Sequence, residues 1–242
     1  MSSIPKCPAE LDFAGHPSVG TACALVMQHH ARPNDPIRLV LEENVGPVTV
    51  DVAQRNGGLH GTLTLSGTIE APTGAPSPTE LAAVLSIEPA EVSQVFFAGV
   101  GVPFCFAQLS SNEVVDRATI NRAAWAATLA RAWSPHVFFF AGNLRDGGTL
   151  HARMWAPALG VEEDPATGSA CAALVGAMAS KPDFGGTAYR LSIQQGVSMG
   201  RRSEIEAEAR KSGSVVTSVS VGGATTYIAS GEMDVPPFAL ES

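Results

Sequence analysis

Two segments of this chain consist almost entirely of small, apolar residues, GTACALVM at 20–27 and GSACAALVGAMA at 168–179. Both patterns predict a helix without a polar face, and such a helix is usually buried. Small side chains also let neighbouring strands approach the helix closely. A sheet curled around a central helix satisfies both conditions, so two such helices predict two similar lobes.

The residues that lead into these two helices repeat. Residues 16–24 read HPSVGTACA and residues 164–172 read DPATGSACA, an ungapped match. Internal duplication explains this match better than chance does, even in a chain rich in Ala and Gly. The aligned pair that differs most in chemistry is His16 and Asp164.

The repeat predicts a binding site. We expect each motif to lie where a loop enters a helix, and the first turn of a helix has free N–H groups and a positive dipole end. Two such ends facing one cleft would bind a carboxylate. His16 and Asp164 would flank it from opposite sides, which suits removing a proton and returning it elsewhere. The expected anion-binding amides are those of Gly20, Thr21, Gly168 and Ser169.

Each of these residues also has a purely structural interpretation. Asp before Pro165 is a favourable helix N-cap, so Asp164 taken alone is more often a cap than a catalyst. A single loop histidine such as His16 is usually structural. Gly20 and Gly168 are equally consistent with close packing of a helix against a strand. Only the repeat raises the functional interpretation above these alternatives.

The remaining pattern alternates short strands with a few helices. The predicted helices are 19–31, 79–85, 111–133 and 167–180. The predicted strands lie near 37–42, 47–54, 60–67, 136–141, 149–155, 187–194, 204–210, 214–221 and 225–231, with two more in 94–109. These elements predict an α+β fold with two pseudo-symmetric lobes, each a curved, barrel-like mixed sheet around a central helix. The N-terminal lobe is predicted to comprise residues 1–88 and about 229–242, and the C-terminal lobe residues 89–228.

Composition and charge exclude several classes of function. The net charge of -8 argues against nucleic acid as a partner, because phosphate binding requires clustered Lys and Arg. No apolar run is long enough to span a bilayer, and no basic amphipathic run suggests a membrane surface. The four cysteines form no CxxC pair, which favours reduced thiols in a cytoplasmic protein. Metal-ligand spacings and nucleotide-binding glycine motifs are absent, so no metal or cofactor is expected.

Three motifs carry a resemblance to a known family. They are FAGHPSVGTACAL at 13–25, RMWAPALGVEEDPATGSACAAL at 153–174 and QQGVSMGRRSEIEAE at 194–208. Their order and spacing resemble the phenazine-biosynthesis isomerase-like family of the diaminopimelate epimerase fold superfamily. The second motif, with EDPATGSA intact, is highly specific.

The resemblance implies two lobes with the site between them and cofactor-independent proton transfer on a small carboxylate-bearing substrate. The family is typified by the isomerisation of dihydro-hydroxyanthranilate. By this resemblance His16 and Asp164 line the site, and we expect them to be the catalytic residues. Gly15, Gly168 and Ser169 are expected near the substrate.

This sequence departs from the family pattern in two respects. Epimerase and racemase branches use two opposed cysteines, but the nearest positions here hold Ala14 and Pro165, which cannot carry a proton. Relatives also have a longer segment before the GHP motif, which supplies the Glu regarded as the principal acid/base. Glu10 matches a different Glu of the family. We therefore expect an incomplete first lobe whose exposed apolar sheet edge favours a homodimer, and a catalytically impaired anion-binding homologue remains the alternative function.

Overall fold

A computed structural model describes residues 15–29, 35–44 and 46–232 of the chain. The helices are α1 Gly15–His29, α2 Pro78–Leu85, α3 Asn112–Arg117, α4 Arg122–Thr128 and α5 Gly168–Ala179. The strands are β1 Ile37–Glu43, β2 Gly46–Arg55, β3 Gly58–Leu65, β4 Val92–Val100, β5 Val102–Leu109, β6 Val137–Gly142, β7 Gly148–Trp155, β8 Ala188–Gln195, β9 Ser203–Ser212 and β10 Val215–Thr225. Two short 3-10 turns lie at Pro89–Glu91 and Pro157–Leu159.

These strands form one mixed sheet in the order β1-β2-β3-β10-β9-β8-β7-β6-β5-β4. The β5–β6 and β7–β8 pairs are parallel, and the other neighbours are antiparallel. Helices and a curved mixed sheet together confirm the predicted α+β class. The lobe boundaries at residues 88 and 228 stay predictions.

Helix α5 lies at the centre of the larger core. Strands β4, β5, β8, β9 and β10 all contact it, although β4 and β10 are far apart in the sheet. The sheet must therefore curl around the helix. Every α5 residue except Ser169 is buried, which confirms the prediction of a helix without a polar face. A Cβ at Gly176 would lie 2.4 Å from Ile69 Cδ1, so this position is closely packed.

Helix α1 is covered on one side only. It contacts β1, β2, β3 and β10, and it buries Ser18, Ala22, Cys23 and Val26. On the opposite side of the helix Leu25 is 38% and Met27 42% exposed. Burial all round was therefore a wrong prediction for this helix, because among the described residues the strands cover a single face.

A second hydrophobic core lies on the other face of strands β4–β7, beneath α2, α3 and α4. The single helix predicted over 111–133 is wrong, since two short helices occupy this region. The backbone between them turns aside to bond α2, with Thr119 N donating to Leu85 O at 3.0 Å and Asn121 N to Val84 O at 2.8 Å. The Asn121 side chain then caps α4.

Several other predictions can be compared with the described residues. The strand predicted at 225–231 is wrong, because β10 ends at Thr225. We expected an exposed apolar sheet edge. The exposed residues of edge strand β1 are Arg38, Val40 and Glu42, and of these three Val40 is apolar. Glu10, Ala14, the last two residues of predicted helix 19–31, and the chain from 233 onward lie outside the described residues. Within the described ranges, none of the helices combines the length and hydrophobicity that crossing a bilayer demands.

The packing around α5 predicts the cost of a truncation. Leu174 is fully buried in this core, so Leu174→Ala should lower the free energy of unfolding by about 2–5 kcal/mol, measured by urea denaturation. Ile228, which is 85% exposed, provides the control, and Ile228→Ala should change stability by less than about 0.5 kcal/mol. Similar losses in the two variants would contradict the central position of α5.

Candidate functional site

The first residues of α1 and α5 meet. A Cβ on Gly15 would lie 3.3 Å from Gly168 Cα and 3.5 Å from Ser169 N, so the two helix ends approach to backbone contact. This close approach agrees with the expectation that both helix N-termini converge on one place. The backbone amides of Gly168 and Ser169 lie in the first turn of α5, where helix N–H groups have no intrahelical acceptor.

His16 connects the first motif to the second. Its Nδ1 lies 2.8 Å from Ala166 O, in the loop that leads into α5. A carbonyl oxygen only accepts, so Nδ1 carries the proton and Nε2 is the ring nitrogen left for other partners. The contact places His16 beside the loop that contains Asp164.

Asp164 lies in an irregular loop, where hydrogen bonds hold both its backbone and its side chain. Its backbone N donates to Met154 O of β7 at 3.0 Å. Its carboxylate Oδ2 accepts a hydrogen bond from Thr167 Oγ1 at 2.6 Å. Thr167, not Asp164, occupies the N-cap position of α5, and the interpretation of Asp164 as a helix cap is therefore wrong.

The third motif contacts the same loop. Gln195, at the end of β8, donates from Nε2 to Asp164 O at 2.7 Å and accepts from Thr167 N at 3.0 Å. The next residue, Gly196, has a φ of +74°. A Cβ at Gly196 would lie 2.9 Å from Pro165 O, so only glycine fits this turn without displacing the loop. The three motifs that carry the family resemblance thus lie against one another.

A buried ion pair holds the residue that directly precedes Asp164. Arg153 of β7 contacts Glu163 through two hydrogen bonds of 2.9 and 2.7 Å, and both side chains are nearly buried. Arg153 Nη1 also donates to three carbonyl oxygens at the end of α3, those of Val115, Asp116 and Ala118. Since Glu163 directly precedes Asp164, this pair ties the candidate acid/base to the second core.

The structure corrects the roles expected for Gly20 and Thr21. Helix α1 begins at Gly15, four residues before its predicted start, so both residues lie beyond its first turn. Their backbone N–H groups therefore have intrahelical acceptors, and the prediction that these amides are free is wrong. The corresponding first-turn residues of α1 are Gly15 and His16.

The described residues offer neither a metal site nor a reactive thiol. No group of three or more His, Cys, Asp or Glu side chains among them could hold a metal ion. Cys23, Cys105 and Cys171 are buried free thiols. Burial raises the pKa of Cys105 to about 12, and it raises that of Cys171 with a further contribution from the Asp164 charge. These cysteines are core residues, as predicted for Cys23 and Cys171.

Reasoning from the sequence missed Gln195 and Thr167 as site residues. One signal was available, because Leu191, Ile193 and Gln195 alternate along β8 and therefore share the inward face of the sheet. A polar residue at that position requires internal hydrogen-bond partners. The alternation could have shown that Gln195 is buried, but not which groups it contacts.

The chain matches the model of the phenazine biosynthesis-like protein family over residues 6–231. An uncharacterized isomerase of Mesorhizobium japonicum is 32% identical over 233 residues, which cover 93% of this chain and 76% of the relative. A trans-2,3-dihydro-3-hydroxyanthranilate isomerase of Pseudomonas chlororaphis is 32% identical over 222 residues, covering 88% and 72% respectively. These matches do not support the prediction that an N-terminal segment is missing.

Solved structures show the same fold. A phenazine biosynthesis protein of Bacillus anthracis superposes with a TM-score of 0.74 at 18% identity, covering 88% of this chain and 73% of that chain. A hydroxyproline epimerase of Agrobacterium vitis gives a TM-score of 0.51 at 14% identity, covering 87% and 63% respectively. At such identities the likeness concerns the fold alone, and it confirms the predicted relation to epimerase-type folds.

The buried Arg153–Glu163 pair should contribute much more to the free energy of unfolding than the exposed Arg122–Glu162 pair next to it. Arg153→Met leaves Glu163 buried without its partner and should cost about 3–5 kcal/mol of unfolding free energy. The Arg122–Glu162 pair is exposed, so Arg122→Met should cost less than about 1 kcal/mol. Urea denaturation measures both variants, and equal costs would show that the buried pair does not hold the loop.

Proposed function

Because the chain belongs to the phenazine biosynthesis-like protein family, we propose that it is a cofactor-independent isomerase that moves a proton on a small carboxylate-bearing substrate. The observation that carries this proposal is the contact of His16 with the loop of Asp164, at the meeting point of two helix N-termini. Two groups that can transfer protons thus lie beside an anion-binding arrangement of backbone amides.

Backbone amides bind the substrate carboxylate in this proposal. The first turns of α1 and α5 bring two positive dipole ends to one place, and the first-turn N–H groups of α5 have no intrahelical acceptor. Gly168 and Ser169 supply amides from α5, and Gly15 allows the close approach that brings α1 beside them. Thr21 and Gly20 lie one turn farther along α1, so any contact of theirs would be secondary.

His16 and Asp164 perform the proton transfer. With Nδ1 donating to Ala166 O, neutral His16 has a lone pair at Nε2 that can accept a proton. The Asp164 carboxylate accepts from Thr167 through Oδ2, and we assign Oδ1 to the substrate. One group removes a proton from carbon and the other returns a proton at a second position, so the substrate is rearranged without a change in composition.

The names of three relatives support this substrate class. Three relatives at 32% identity are named trans-2,3-dihydro-3-hydroxyanthranilate isomerase, and that compound carries a carboxylate. It is therefore the first compound to test. The homodimer and the cytoplasmic location expected from the sequence remain proposals of the same kind.

A second candidate function uses the same helix ends without chemistry. Paired helix N-termini would also serve a protein that binds a small carboxylate and leaves it unchanged. The two candidates differ in proton transfer alone. Incubation with trans-2,3-dihydro-3-hydroxyanthranilate in D2O separates them, because the isomerase forms product and incorporates solvent deuterium, whereas a binding protein does neither.

Asp164→Asn tests the catalytic role. Asn keeps an oxygen that can accept from Thr167, so the melting temperature should stay nearly unchanged. Activity should fall by about 10²–10⁴-fold, because the amide cannot transfer the proton. Product formation measured by absorbance or NMR gives the rate, and Asp183→Asn, at an exposed carboxylate, is the control. Retained activity in Asp164→Asn would rule out the proposed role of Asp164.

A further inference from the structure

Gln195 is a fully buried polar residue beside the candidate site. Its side chain makes three hydrogen bonds, all to the loop that leads into α5. Two bonds join it to Thr167, and one joins it to the backbone of Asp164. A buried amide with this many partners fixes the geometry of the groups it contacts.

The partners determine which way the amide points. Gln195 Oε1 accepts from Thr167 N, a group that can only donate, at 3.0 Å. Gln195 Nε2 donates to Asp164 O, a group that can only accept, at 2.7 Å. The reverse orientation would place donor against donor and acceptor against acceptor. The amide orientation is therefore fixed by chemistry.

This orientation also determines the direction of the Thr167 hydroxyl. Gln195 Nε2 donates its second proton to Thr167 Oγ1 at 2.9 Å, so the hydroxyl oxygen acts there as an acceptor. The single hydroxyl proton of Thr167 is left to donate to Asp164 Oδ2, at 2.6 Å. A distance of this size is typical of a hydroxyl bound to a carboxylate.

Thr167 accordingly does not act as an ordinary helix cap. A Thr at the N-cap position normally accepts a hydrogen bond from the second or third amide of the helix. Thr167 occupies the N-cap position of α5, yet its side chain makes no capping bond. Its hydroxyl serves Asp164 instead, and the amides of Ser169 and Ala170 are left without a side-chain cap. The same arrangement thus holds the carboxylate and leaves helix amides for an anion.

We propose that Gln195 and Thr167 are positioning residues for Asp164, acting as a directed hydrogen-bond chain from the buried amide through the hydroxyl to the carboxylate. The role in the reaction rests on the proposed isomerase function, whereas the hydrogen-bond chain itself does not. Among the described residues, Asp164 Oδ2 is the carboxylate oxygen held in this way. Oδ1 is thereby presented to the substrate in one orientation.

Steady-state kinetics with trans-2,3-dihydro-3-hydroxyanthranilate test the catalytic part. Thr167→Val and Gln195→Leu should lower kcat by about tenfold or more with KM changed less than about threefold, because the loss concerns the reacting carboxylate. Thr167→Ser keeps the hydroxyl and should retain kcat within about threefold. Gln194→Leu, at the half-buried neighbour on the opposite face of β8, should leave kcat unchanged. Equal kcat values for Thr167→Ser and Thr167→Val would overturn the proposal.

A second measurement does not need a substrate. The Thr167 hydroxyl proton should give a slowly exchanging ¹H NMR signal in threonine-labelled protein, and the signal should be lost in Thr167→Val and exchange faster in Gln195→Leu. A wild-type protein without isomerase activity but with this signal would refute the proposed function and keep the hydrogen-bond chain. A hydroxyl that exchanges as fast as an exposed threonine would overturn the chain itself.

Discussion

The backbone contact between the first residues of α1 and α5 is the constraint on which the site depends. An ideal Cβ on Gly15 would lie only 3.3 Å from Gly168 Cα, so the two helix ends meet where neither carries a side chain. This contact brings both positive helix ends to one place. It also places His16 within hydrogen-bond distance of Ala166 O, and therefore beside Asp164.

Polar contacts, rather than regular secondary structure, hold the loop between β7 and α5. Its backbone makes a short 3-10 turn and one bridge, between Ala156 and Val161, and side chains from other elements hold its last residues. Gln195 bonds the carbonyl of Asp164 and the amide of Thr167, and Arg153 bonds Glu163. These bonds tie the loop to β7 and β8 on both sides of the Asp164 carboxylate.

Much of the fold and part of the site could be predicted from the sequence. The burial of α5 follows from its composition, and the meeting of the two helix ends was expected from the repeat. The start of α1 was placed four residues too late, which wrongly left the amides of Gly20 and Thr21 free. The small residues of 20–27 lie inside that helix, and composition alone does not locate the residue at which it starts.

The sequence by itself determined the elements whose signals are local: the alternating strands, the buried small-residue helix α5, and the repeated motifs that contain His16 and Asp164. Only the tertiary structure decided which group each polar side chain bonds. Asp164 and Thr167 are both acceptable helix caps in sequence, and the distant Gln195 determines that the Thr167 hydroxyl binds the carboxylate. Which partner a polar side chain bonds depends on residues that only folding brings together, so a local sequence pattern cannot predict it.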